Sequence, residues 1–229
     1  MLNKRILSNF YSGMGLLLVA LAIGGFTVAT ILRGNSPLDF PLYVHLHGFI
    51  YLSWLALFVF QANLIGQKSY RLHRRLGYLS VLIVSGMIIT GVMMINFAYQ
   101  RGISPIPNTT VQQFLVYPAM DLVGLLGFYL IGVINKHKAE LHKHCMLIAT
   151  IAIMDPALGR IAEASHIPPL GLLLHFGLVG LVMRHDRNTT GAIHIISWLG
   201  LLFVLVRVIS LFTVGATEAW ETMINQLFG

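Results

Sequence analysis

Hydrophobic positions dominate this chain in long blocks, and the polar positions fall between the blocks rather than alternating with them. The blocks run from Gly13 to Leu32, Leu42 to Gly66, Leu76 to Ala98, Phe114 to Asn135, His144 to Ala164, Pro168 to Met183 and Ala192 to Val214. Most are about 20 residues or longer, the length a helix needs to cross a bilayer core at 1.5 Å per residue. RGNSP, QRGISPIPN, HIPP and DRNTTG punctuate them with turn-forming residues. The pattern predicts an all-α polytopic bundle of seven transmembrane helices in one domain, residues 1–216. The first block follows Lys4 and Arg5 and reads as a retained helix rather than a signal peptide. Residues 217–229 place Trp220, Met223, Ile224, Leu227 and Phe228 on one helical face, so they predict an amphipathic tail on the outer interface.

Composition agrees with a membrane class: 56% of residues are hydrophobic and 10% charged. The net charge of +7 is not gathered into one basic face, which argues against nucleic acid. It alternates with the blocks instead. With the N-terminus inside, the inner segments hold eleven basic residues: Lys4, Arg5, Lys68, Arg71, Arg74, Arg75, Lys136, Lys138, Lys143, Arg184 and Arg187. The outer segments hold three: Arg33, Arg101 and Arg160. Inner-side enrichment of Lys and Arg predicts an N-terminus inside and a C-terminus outside. The expected location is a bacterial inner membrane, with lipid as the surrounding partner. Cys145 is the single cysteine, so no intrachain disulfide or Cys-x-x-Cys site exists.

Ten histidines in so apolar a chain are the main chemical signal. His73, His142 and His194 open three different blocks at the inner face, where they could ligate a haem iron or a zinc or iron ion, or meet lipid headgroups. His47, Tyr51, Trp54 and Gln61 form one stripe of the second block, which should face the bundle. Asp121, Asp155, Arg207 and His175 lie within the apolar blocks at converging depth. An arginine there needs a carboxylate, so either a structural ion pair or a proton-handling site is expected. Asp155-Pro156 should break the fifth helix. Arg160 and Glu163, three apart, should pair locally.

Three segments carry a resemblance. QKSYRLHRRLGYLS, LHKHCMLIATIAIMDPALGRI and MRHDRNTTGAIH resemble His-Arg-Arg-Leu-Gly, His-Lys-Arg-Leu-Met and closing histidine segments of uncharacterised bacterial multi-pass membrane proteins. By that likeness His47, His73, His142 and His194 are the family-type histidines. His144 and Cys145 depart from the pattern, standing where it has arginine and leucine. More distantly, histidines at helix ends look like those of membrane b-type cytochromes, which hold haem between two histidines. The expectations are three. The first is a redox protein with haem b between His73 and His142, and a second haem between His47 and His175. It would pass electrons to a quinone or a partner protein, with Asp121, Asp155 and Arg207 moving protons. The second is a metal-dependent enzyme using His73, His142 and His194. The third is a non-catalytic assembly or transport protein. The sequence contains no His-Glu-x-x-His, Gly-x-Ser-x-Gly or Walker segment.

Overall fold

The computed structural model describes residues 10–34 and 40–229, so the expectations resting on Lys4 and Arg5 lie outside the described residues. These residues are all-α, with no strand among them. In order they form α1 (Phe10–Arg33), α2 (Leu42–Gly66), α3 (Tyr70–Arg101), the single turn α4 (Val111–Phe114), α5 (Val116–Ile134), α6 (Ala139–Ala152) and α7 (Asp155–Ala164). Then come α8 (Leu170–Thr190), α9 (Ile195–Phe212), a 3₁₀ turn (Val214–Ala216) and α10 (Glu218–Phe228).

Among the described residues, five helical segments are long and apolar enough to cross a membrane: α1, α2, α3, the α4–α5 pair and α9. Only 22% to 39% of their apolar stretches are buried in protein, so the remaining apolar surface requires a lipid solvent. Phe49, Leu82, Val123 and Phe212 are among the large apolar side chains left exposed. The protein is therefore an integral, multi-pass membrane protein. The fifth predicted block forms two apolar helices, α6 and α7, bent by 44° at a short break, which brings the candidate spans among the described residues to five or six. The break, at Ile153-Met154, falls just before Asp155-Pro156 because proline cannot donate a helical hydrogen bond and crowds the preceding turn. α8 is not in the group, since its last turns carry Arg184, His185, Asp186 and Arg187.

One apolar core joins α1, α2, α3, α5, α6, α7, α8 and α9 through Leu18, Trp54, Met87, Leu125, Leu147, Leu158 and Val182. Close helix approach depends on glycine at particular places. A Cβ at Gly25 would overlap the carbonyl oxygen of Ala157, so α1 meets the backbone of α7 directly at this point. A Cβ at Gly132 would overlap the Met146 methyl group and press on Cys145 Cβ, so α5 and α6 also meet closely. Gly25→Ala is expected to lower stability by about 1–3 kcal/mol, because a backbone carbonyl cannot rotate aside as a side chain can. Unfolding followed by circular dichroism in detergent checks this, and Gly24→Ala is the control, since a Cβ there meets nothing within 4 Å.

One local pairing differs from its expectation. Glu163 pairs with Arg33 of α1, with Arg33 Nε donating to Oε1 at 3.1 Å, instead of with Arg160. Arg160 donates to Pro156 O at 2.7 Å and lies over the Phe26 ring. The tail helix α10 docks on the bundle: Ile224 is buried with Ile95 and Leu115, and Trp220 Nε1 donates to Gln112 O at 2.7 Å. Met223 and Leu227 remain on its exposed face.

Candidate functional site

The histidines and buried charges sort into three groups at two depths. The first is a histidine pair at the start of α3 and α6. The His73 and His142 rings have centroids 6.3 Å apart and planes at 88°. His142 Nδ1 lies 2.9 Å from Gly132 O. A carbonyl can only accept, so Nδ1 is the donor and Nε2 is left outside this bond. The close α5–α6 approach at Gly132 places that carbonyl. Gln61 Nε2 donates to His73 O at 3.2 Å, while Gln61 Oε1 and His73 Nδ1 are buried with no hydrogen-bond partner among the described residues. Trp54, on the same stripe of α2, donates to Thr150 Oγ1 at 3.2 Å. The stripe therefore faces the bundle as its spacing predicted.

The second group is built around His144 and Asp186. Gly191, at φ 78°, ends α8 in a left-handed turn that glycine adopts without penalty. The reversal brings the start of α9 back onto Asp186, and His194 N and Ser197 Oγ donate to Asp186 Oδ2 at 3.1 and 2.6 Å. His144 Nε2 meets Asp186 Oδ1 at 2.7 Å, and His144 Nδ1 meets Glu140 O at 2.6 Å. The ring is thus held between the Asp186 carboxylate and the Glu140 carbonyl, with the Tyr11 hydroxyl 3.4 Å from Nε2. His194 stacks on it at 4.2 Å and caps α9 by accepting from Ile196 N. Burial would push the Asp186 carboxyl up, but the Ser197 and His144 hydrogen bonds hold it below the usual carboxylate range. Burial, and then the neighbouring His144 charge, hold His194 below the usual imidazole value. A cavity of about 390 Å³ opens beside these groups, lined by Tyr11, Lys143, His185 and Thr190 among others.

The third group lies among α5, α7, α8 and α9. Arg207 is 1% exposed, and its Nε donates to Asp121 Oδ1 at 2.6 Å. Its Nη2 approaches Asp155 Oδ2 at 2.5 Å, an ion-pair contact without hydrogen-bond alignment. The guanidinium lies 4.0 Å from the centre of the Tyr117 ring. His175 is fully buried; both ring nitrogens lack hydrogen bonds among the described residues, and Nδ1 is 3.9 Å from Asp155 Oδ1. The convergence of Asp121, Asp155, Arg207 and His175, expected from their depths, is present.

Two expected constellations are not assembled. His194 stacks on His144 while His73 faces His142, and among the described residues no three His, Cys, Asp or Glu side chains group as a metal ion would need. His47 packs on Tyr51 at 4.1 Å and His175 faces Asp155, so no ring contact joins His47 to His175 among the described residues. Cys145 is a buried free thiol. Comparison with family models, curated proteins and solved structures gave no match.

Proposed function

We propose that this protein is a membrane redox protein holding one haem b between His73 and His142 near the inner face. The spacing of the two imidazoles supports the reading. A metal–nitrogen bond of roughly 2 Å and roughly 1.1 Å from nitrogen to ring centre put each centroid about 3.1 Å from a shared ion. Ligands on opposite sides would then lie about 6.2 Å apart, whereas tetrahedral ligands would lie about 5 Å apart. The His73–His142 separation of 6.3 Å suits opposed axial ligation. His142 is already oriented for it by Gly132 O, the outer hydrogen bond that metal-bound histidines commonly make. Arg74 and Arg75, next in sequence to His73, offer positive charge to propionates. The zinc or iron reading draws less support, because two imidazoles alone leave a tetrahedral ion short of ligands.

The reading places the chain in a bacterial inner membrane as a seven-span bundle, with α8 as a shorter span and the N-terminus inside. The excess of inner lysine and arginine carries that orientation. Electrons would pass to or from a quinone or a partner protein at the inner side. The test is an absorption spectrum of protein made with haem supplied and purified in detergent, oxidised and then reduced. A six-coordinate b-type spectrum is expected, lost in His73→Ala and in His142→Ala and kept in His175→Ala. No Soret band in the parent, or a spectrum unchanged in the two inner variants, would sink the assignment and leave the binding or transport reading.

A further inference from the structure

The buried charges around Arg207 do not sum to zero. Arginine keeps its charge under any condition in which a protein stays folded. Two carboxylates, Asp121 and Asp155, contact it, so the centre holds one net negative charge when both are ionised. Arg207 and Asp121 have side chains only 1% and 8% exposed, and an unbalanced charge in such a place is strongly disfavoured. The other groups facing the centre do not supply the missing positive charge as they stand. Tyr117 on α5 and Tyr51 on α2, both within electrostatic reach of Asp121, are neutral phenols. From α1, packed on α7, Arg33 is committed to Glu163. Arg160, one turn further along α7, is turned to Pro156 O and the Phe26 ring. His175 on α8 is the remaining titratable neighbour, and its ring nitrogens are unsatisfied.

One proton on Asp121, Asp155 or His175 brings the sum to zero. We propose that this cluster is a proton-binding site that loads and releases a single proton, entering at Asp155 and shared among Asp155, His175 and Asp121. Asp155 is the entry because its side chain is 26% exposed, against 0% for His175. It also opens α7 at the 44° break, where the first-turn N–H groups of the helix favour its anionic form and so permit release. Uptake is the transfer of a proton from hydronium to an Asp155 carboxylate oxygen, leaving water. Passage to His175 Nδ1 restores the carboxylate and makes an imidazolium beside it. The present 3.9 Å gap exceeds a hydrogen bond, and protonation gives the pair a reason to close it. No electron moves in either step. The site is separate from the inner histidine pair and stands whether or not haem binds there.

Infrared spectra of the full chain in lipid nanodiscs, stepped in pH, read the protonated-carboxyl stretch, and ¹⁵N-histidine resonances read His175. The expected result is one buried protonated group per chain in the parent, whose signal is lost or moves in Asp121→Asn, Asp155→Asn or His175→Gln. Asp121→Asn is expected to fold, because it is isosteric and reaches zero net charge without a proton. If the parent shows neither a protonated carboxyl nor a protonated His175 at any pH where its helix content is native, the cluster is a static ion triad and the proposal fails. A carboxyl band that survives all three substitutions belongs elsewhere, and that outcome overturns the proposal equally.

Discussion

Arg207→Met is expected to destabilise the protein by about 3–5 kcal/mol, a large fraction of the stability of an ordinary domain. The methionine is similar in length and apolar, so packing against Tyr117 is largely kept and the loss is electrostatic. What remains is Asp121, buried at 6% exposure, and Asp155 beside it, with no cation to balance either. Removing one member of a buried ion group costs far more than removing the whole group, since the partners are left unpaired. Adding Asp121→Asn and Asp155→Asn to Arg207→Met should therefore recover most of the lost stability. The measurement is unfolding in mixed micelles followed by circular dichroism, for parent, single and triple variants. An Arg207→Met protein as stable as the parent, or a triple variant worse than the single, would show that the cluster does not hold the bundle together.

The arginine and its partners are legible in the sequence because an ionisable group in an apolar run has few tolerable surroundings. Asp121, Asp155, Arg207 and His175 sit on four helices, yet depth alone places them at one level. The helix break at Asp155-Pro156 is legible for a backbone reason that holds in any fold. The His144–Asp186 centre is not. Asp186 stands in RHDRN, a run that reads as a solvated boundary, and its burial comes from the Gly191 reversal that folds α9 back over it. His144 stands next to Lys143 at the edge of an apolar run, so nothing local marks it as buried. Tyr11, beside it, precedes the first predicted block, Gly13 to Leu32, and nothing marks it there. The signal that points to the centre is the cap: His194 precedes an apolar run, and a polar residue there faces the end of the preceding helix. The charged last turns of α8, Arg184 to Arg187, hide the centre in the same way, because in the sequence they read as a boundary while Asp186 among them is buried.

The His144–Asp186 centre carries the second large expectation. Asp186 accepts from His144, Ser197 and the backbone of His194 while only 2% exposed, so Asp186→Ala leaves a ring N–H, a hydroxyl and a backbone N–H without their acceptor. A loss of about 3–5 kcal/mol is expected near neutral pH. Asp186→Asn should lose less, since its oxygen still accepts from Ser197 or His194 N. The sign of the pH dependence follows from the protonation states. Asp186 titrates lower in the fold than in the unfolded chain, where the value is about 3.9. Its contribution is complete above that value and disappears as pH falls through the lower, folded one. His194 and His185 are likewise held below the usual imidazole value of about 6.5, burial being the main cause for both. They must take up protons on unfolding, so acid weakens this end of the bundle before Asp186 itself is neutralised. Thermal midpoints of parent and Asp186→Ala from pH 8 down to pH 3 should therefore both fall with acid, and the gap between them should narrow toward the acid end. A gap that widens as pH falls would mean that the Asp186 carboxylate is not what holds the three donors.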